Sequence, residues 1–108
     1  MTETVFLYVT APNSETAARI GRTLVEENLA ACVNIHGEMR SVYEWEGKVE
    51  IGIETPLIVK TTAGRASAAR DRIIMLHPHE VPCVAALPVS AEGSNAAFLE
   101  WIAETTSA

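Results

Sequence analysis

The chain has 108 residues, which suits one domain with a single hydrophobic core. Apolar residues make up 48% of it and charged residues 20%, a balance that excludes an intrinsically disordered chain. Fourteen acidic and eight basic residues give a net charge of −6, which argues against nucleic acid or an anionic membrane as partner, because both need a basic surface. With no apolar run long enough to cross a bilayer and no visible signal peptide, we expect one cytoplasmic domain over residues 1–108 whose two cysteines, Cys32 and Cys83, are reduced thiols.

A strand, a helix and a second strand are predicted in the first third of the chain. The β-branched and aromatic residues 5–10 (VFLYVT) indicate a strand. Asn13 or Ser14 can cap a helix that runs to Asn28, because apolar residues recur there at spacings of three and four. The apolar run of residues 29–36 then predicts a buried strand.

A long hairpin is predicted next. Large aromatic residues alternate with acids over residues 41–46, a tight turn is indicated at residues 46–48, and the alternation resumes over residues 49–51. Pro56 separates this returning strand from a further strand over residues 57–61. The alternation places two aromatic residues on one side and two acids on the other, namely Tyr43 and Trp45 against Glu44 and Glu46.

The remaining elements are a helix over residues 65–76, a buried strand over residues 83–87 and a last helix capped by Ser94. The order β-α-β-β-α-β followed by a helix predicts a ferredoxin-like α+β fold, in which two helices cover one face of an antiparallel sheet. The other face of the sheet is left open, and its apolar residues predict an oligomer in which sheets pack together.

The densest set of reactive side chains lies in residues 76–83 (LHPHEVPC). An extended backbone places His77 and His79 on the same side, a spacing that can chelate one ion. Imidazole and thiolate suit copper, zinc or nickel better than magnesium or calcium, so these histidines and Cys83 are candidate ligands. In the alternative interpretation, His77 caps the preceding helix, Cys83 belongs to the core and Glu80 is only solvated.

Four further residues have both a structural and a functional interpretation. Cys32 is either a core residue or a nucleophile that needs a neighbouring base. Lys60 either binds an anionic ligand or extends to solvent. Tyr43 and Trp45 either pack in an interface or stack against a ligand. Because the sequence has no phosphate-binding loop and no known nucleophile motif, we predict neither an enzyme nor an organic cofactor.

Six segments between Val5 and Ile102 together resemble the CutA divalent-cation tolerance proteins, in the same order and at the same spacing. They are residues 30–35 (AACVNI), 41–50 (SVYEWEGKVE), 57–61 (LIVKT), 77–82 (HPHEVP), 86–89 (ALPV) and 98–102 (FLEWI). The resemblance implies a tight trimer similar to the PII signal proteins. It also implies clefts between subunits, lined by residues at positions that the family keeps: Cys32, Tyr43, Trp45, Lys60, His77 and Glu80.

The family is linked to tolerance of divalent cations, copper above all. Two departures add metal ligands to this chain, because His79 replaces the usual tyrosine and Cys83 replaces the usual acid. We therefore predict a homotrimer in which a subset of Cys32, His77, His79 and Cys83 binds copper, without catalytic turnover. Tyr43, Trp45, Lys60 and Glu80 are predicted to line a ligand cleft. The alternative is a PII-like regulatory module that binds a small anionic ligand in that cleft.

Overall fold

The computed structural model describes residues 2–107, so the two ends of the predicted domain, residues 1 and 108, lie outside it. The described chain forms these elements in order: β1 (Thr4–Ala11), α1 (Ser14–Glu26), β2 (Cys32–Ile35), β3 (Met39–Trp45), β4 (Lys48–Thr62), α2 (Ala63–Leu76), β5 (Val84–Pro88) and α3 (Ala96–Thr105).

Each strand is antiparallel to its neighbours. β1 pairs with β4 along its whole length and with β5 on its other side. β2 pairs with one half of β4, and β3 pairs with the other half to form the hairpin. The strand order β2-β4-β1-β5 is that of a ferredoxin-like fold, so the predicted fold class is confirmed.

The hydrophobic core lies between one face of the sheet and the helices α1 and α2. Leu7 and Val9 of β1 point into it and are 2% and 0% exposed. α1 contributes Ile20 and Leu24, which lie one turn apart, and α2 contributes Ile73. Because burial of such a side chain stabilises a fold by about 1.5–3 kcal/mol, this layer fixes both helices against the sheet.

Two helices begin at an asparagine cap. The Oδ1 of Asn13 accepts a hydrogen bond of 2.8 Å from the Thr16 amide at the start of α1, so Asn13 rather than Ser14 is the cap. Asn95 caps α3 in the same way, and the predicted cap Ser94 is wrong. The Ser94 hydroxyl instead donates a hydrogen bond to the Ser90 carbonyl within the preceding loop.

The end of α1 shortens the strand that follows it. Asn28 has a φ of 58°, the left-handed conformation predicted for the end of this helix. The amides of Leu29 and Ala30 both donate to the Leu24 carbonyl and so complete the helix end instead of joining the sheet. The strand predicted over residues 29–36 is therefore too long at both ends, and the observed strand β2 contains only Cys32–Ile35.

β4 runs through Pro56, where the sequence predicted an interruption. A residue in a strand points its N–H and its C=O to the same side. The Pro56 carbonyl accepts a hydrogen bond from the His36 amide, on the side where β2 gives way to β3. The missing N–H of Pro56 therefore faces a gap between two strands, and one continuous strand replaces the two that were predicted.

The hairpin forms as predicted, but one of its sides differs from the prediction. Glu46 and Gly47 have φ values of 51° and 80°, and a type I′ turn requires positive φ at both positions. Tyr43 and Trp45 share one side. The side predicted to be acidic is mostly apolar, and we call its four apolar residues the apolar hairpin face: Val42, Val49, Ile51 and Ile53.

α3 packs on the sheet face opposite α1 and α2, so that face is not wholly open as predicted. The Nζ of Lys60 lies 5.3 Å from the ring centroid of Phe98 on α3 and 5.7 Å from that of Phe6 on β1. Leu87 and Trp101 remain 48% and 44% exposed, so α3 covers only part of this surface. We call it the outer sheet face and define it by Phe6, Tyr8, Ile58, Lys60 and Leu87.

Candidate functional site

The α2–β5 connection, residues 77–83, carries most of the predicted metal ligands. α2 ends at Leu76 because Pro78 favours an extended conformation in the residue before it, and His77 has φ −82° and ψ 135°. β5 begins at Val84 instead of Cys83, so Cys83 lies in the connection. Three donors of this segment are exposed to solvent, namely His79, Glu80 and Cys83. The core position considered for Cys83 is therefore wrong.

The His77 imidazole has a hydrogen-bond partner at each nitrogen. Its Nε2 lies 2.8 Å from the Thr10 carbonyl oxygen, and its Nδ1 accepts a hydrogen bond of 3.1 Å from the His79 amide. A carbonyl only accepts and an amide only donates, so the hydrogen of the neutral ring is on Nε2. The residue is 6% exposed, and the His79 ring lies beside it with 4.8 Å between the centroids.

Cys32 and Lys60 are neighbours on the outer sheet face. They lie opposite each other on β2 and β4 and therefore point to the same side. The Cys32 sulfur is partly buried and accepts a hydrogen bond of 3.8 Å from the Asn34 Nδ2. Lys60 lies between two aromatic rings, and none of the ion pairs found within residues 2–107 includes it.

Tyr43 and Trp45 lie far from Lys60 in one chain. Tyr43 is opposite Glu50, and Lys60 is ten residues further along β4 (60 − 50 = 10). At about 3.3 Å per residue, the two places are roughly 33 Å apart. The Tyr43 ring instead packs over Gly52, where a Cβ would lie 3.3 Å from its Cε1 atom.

Cys32 is also remote from the α2–β5 connection. His77 contacts Thr10, which is opposite Pro56, and Pro56 lies four residues from Lys60 on β4 (60 − 56 = 4). This separation is about 13 Å along the strands alone. Within residues 2–107 of one chain, no three His, Cys, Asp or Glu side chains are grouped so that they could hold a metal ion. The predicted residues thus fall in three places, and a site that joins these places requires a second chain.

Sequence reasoning missed three features of these surfaces. The partner of His77 is a backbone carbonyl 67 residues away, for which a sequence has no signal. Phe6 and Phe98 flank Lys60, and only the placement of α3 on the outer sheet face brings them together. The apolar hairpin face did have a signal, because the turn at Glu46 and Gly47 fixes which residues lie opposite one another.

Comparison with known proteins identifies the family. A family model described as CutA1 divalent ion tolerance protein matches residues 5–105. The chain belongs to this CutA1 family. The CutA resemblance found in the sequence is thereby confirmed.

Two relatives and one solved structure illustrate the similarity within the CutA1 family. The divalent-cation tolerance protein CutA of Archaeoglobus fulgidus is 43% identical over 100 residues, which are 93% of this chain and 95% of that protein. Protein CutA of Homo sapiens is 41% identical over 99 residues, but they are 92% of this chain and only 54% of that longer protein. A structure of the periplasmic divalent cation tolerance protein CutA from Archaeoglobus fulgidus has a TM-score of 0.89 at 42% identity and covers 95% of this chain and 98% of that one.

The helices of this CutA1 family member are short. Within residues 2–107, none has both the length and the apolar character needed to cross a membrane.

Proposed function

We propose that this CutA1 family member is a homotrimer that binds copper and acts in divalent-cation tolerance without catalytic turnover. The observation that carries the proposal is the α2–β5 connection, where an imidazole, a carboxylate and a thiol are exposed within five residues: His79, Glu80 and Cys83. Imidazole and thiolate are ligands that copper prefers over oxygen donors. The copper site takes a subset of Cys32, His77, His79 and Cys83, completed by donors of a second chain.

The exposed apolar surface supports the oligomeric part of the proposal. The molecule measures 45 × 28 × 22 Å. The apolar hairpin face is 60% to 78% exposed, residue by residue, in one chain. A two-stranded hairpin is at best marginally stable in water on its own, and contiguous apolar surface usually marks an interface. A second copy that covers the apolar hairpin face and the outer sheet face would both stabilise the hairpin and bury the exposed apolar surface.

A copper titration tests the metal-binding part. Isothermal titration calorimetry is carried out with Cu(II), and anaerobically with Cu(I), on the wild type and on the double variant His79→Ala/Cys83→Ala. We expect the double variant to bind at least 100-fold more weakly, because it loses two donors of the same ion. His36→Ala is the matched control, since His36 is exposed but is not a proposed ligand. Equal affinity in the double variant and the wild type contradicts the proposed ligands.

One observation favours the alternative function, a PII-like module for a small anionic ligand. Lys60 carries a positive charge next to two aromatic faces, and no ion pair found in the described chain neutralises it. Such an ammonium group suits a carboxylate or phosphate, and aromatic rings of a second chain, Tyr43 and Trp45, then complete the cleft.

Thermal unfolding in the presence of nucleotides and small carboxylic acids separates the two functions. A ligand that binds only the folded protein raises its melting temperature. The alternative predicts a rise with an anion that Lys60→Met abolishes and Lys48→Met preserves. A rise with copper and with none of the anions contradicts it.

We infer a cytoplasmic location from the state of the cysteines. Both are unpaired in one chain, and Cys83 is exposed, so a reducing compartment keeps it available as a thiol. The similar Archaeoglobus fulgidus structure is described as periplasmic, which makes this point worth testing directly. Subcellular fractionation of the source cells is expected to recover the protein with cytoplasmic markers, and recovery with periplasmic or secreted markers contradicts the inference.

A further inference from the structure

In the described chain, no strand amide is found to donate to the Thr10 carbonyl, and the His77 ring takes the place of such a donor. Pro56 lies opposite Thr10 and directs its carbonyl to His36, away from β1. The backbone polar groups of Thr10 therefore point to the other side of β1, where β5 lies. β5 extends only to the position opposite Val9, one residue short. The Nε2–H of His77 binds this carbonyl at 2.8 Å, in the place that one more residue of β5 would take.

The same imidazole holds the backbone of the α2–β5 connection. Pro78 and Pro82 have no N–H to donate. In the part of the chain described, the hydrogen bond found for the backbone of residues 78–82 is that of the His79 amide to the Nδ1 of His77. One buried ring thus joins this connection to β1 through Nε2 and fixes the backbone two residues further on through Nδ1.

We infer that His77 is a positioning residue of the proposed copper site and not one of its ligands, an inference that rests on the proposed function. Each ring nitrogen has one hydrogen or one lone pair to share, so coordination by either would break a hydrogen bond that now holds the segment. Within residues 2–107, no side-chain hydrogen bond or ion pair is found for His79, Glu80 or Cys83, and all three residues face solvent. His79 and Cys83 are then the ligands that this segment contributes, donors of a second chain complete the site, and His77 sets the backbone from which the two ligands project.

Nuclear magnetic resonance of the metal-free protein tests the arrangement without any substitution. With ¹⁵N-labelled histidine, the ring nitrogens report which one carries the hydrogen. We expect His77 to show hydrogen on Nε2 only. We also expect the His79 amide to exchange with solvent more slowly than the same amide does in an unfolded peptide. A ring with hydrogen on Nδ1, or a His79 amide that exchanges as in an unfolded peptide, overturns the inference whether or not any metal binds.

Adding Zn²⁺, a diamagnetic probe that takes the same kinds of ligand, tests the role in binding. A ring nitrogen of His79 should take up the shift of a metal ligand, while both nitrogens of His77 keep their metal-free shifts. In copper titrations His77→Ala should weaken binding by about 10- to 100-fold, the usual effect of losing a residue that orients a ligand. His77→Gln, which keeps a donor and an acceptor, should restore most of it. A metal-shifted His77 ring, or a His77→Gln variant that binds as weakly as His79→Ala, overturns the inference.

The experiments on His77 give an answer even if the protein does not bind metal. If the wild type binds neither zinc nor copper, the proposed metal function fails. The metal-free hydrogen position and the His79 amide exchange then decide by themselves whether His77 holds the connection. If metal binds and the ring nitrogen signals of His77 do not shift, the proposed metal function and the positioning role of His77 are both supported.

Discussion

Arg72 of α2 donates two parallel hydrogen bonds to the Glu27 carboxylate at the end of α1, each of 2.9 Å. The pair joins residues 45 positions apart and links the two helices that cover the core. Two-point contacts of this kind hold both side chains in one geometry, and this distinguishes the pair from the single-contact surface pair Arg22–Glu26.

Arg72 makes stability depend on pH through Glu27. Its hydrogen bond holds the pKa of the Glu27 carboxyl below the ordinary value of 4.5. A carboxyl with a lowered pKa in the folded state adds stability above its ordinary pKa and loses it as pH falls through the folded pKa. Arg72→Met should therefore lower the urea midpoint near neutral pH, and its difference from the wild type should shrink below pH 4.5. Arg22→Met is the control and should change the urea midpoint little. If the difference in midpoint between Arg72→Met and the wild type grows in acid, Arg72 is not what lowers the Glu27 pKa.

The hairpin turn depends on the conformation of Gly47. Its φ of 80° lies in the left-handed region, and nothing stands within 4 Å of the place where a Cβ would be. Gly47→Ala should therefore destabilise the protein by about 1–2 kcal/mol through backbone conformation alone. Gly37→Ala is the matched control, since that site is equally free of neighbours and has no left-handed φ. Urea unfolding at one fixed protein concentration compares them, and equal free energies for the two variants would refute the account of the turn.

Gly21 allows α1 to lie close to β2. A Cβ at this position would lie 3.2 Å from the Cγ1 of Val33. Gly21→Leu should destabilise the protein by about 1–3 kcal/mol because its Cβ would press on the Val33 side chain. Val33→Ala should relieve part of that loss, which a double-mutant cycle measures. Gly64→Leu, with nothing within 4 Å of its Cβ position, should cost much less; strictly additive effects of the first two substitutions contradict the contact.

The apolar hairpin face should hold the oligomer together. Ile51 is 68% exposed in one chain, and we expect a second copy to cover it. Ile51→Lys places an unpaired charge in that interface and should weaken association by about 100-fold or more. Val25→Lys adds the same charge on α1, at a site 40% exposed, and should leave association unchanged. Sedimentation velocity reads the result, and identical sedimentation of the two variants would count against the interface.

Much of the fold could be predicted because its signals are local. Asn28 has the left-handed φ expected of a helix end, and residues 46 and 47 form the tight turn that their sequence indicates. The errors arose where a distant element decides the structure. Pro56 does not interrupt β4, because its missing N–H meets the gap between β2 and β3, and a single strand has no sign of that gap.

Local sequence indicates which residue types could bind a metal ion, but it does not indicate how the fold arranges them. The non-helical segment that carries His79 follows from the prolines on both sides of it, but the exposure of Cys83 does not, because residues 83–87 read as a buried strand. The position of Lys60 relative to Tyr43 depends on the length of β4 beyond the sheet. The contact of His77 with Thr10 depends on how far β5 extends, which no local pattern encodes.

Native mass spectrometry of the copper-loaded protein tests trimer formation and copper binding together, because one spectrum gives both the number of chains and the number of bound ions. For the wild type we predict a species of three chains, each of 11.7 kDa, that carries copper. For the His79→Ala/Cys83→Ala variant we predict the same three-chain species without copper. A wild-type spectrum of single chains, or of an assembly that binds no copper under conditions where the ion is in excess, would contradict the proposed function.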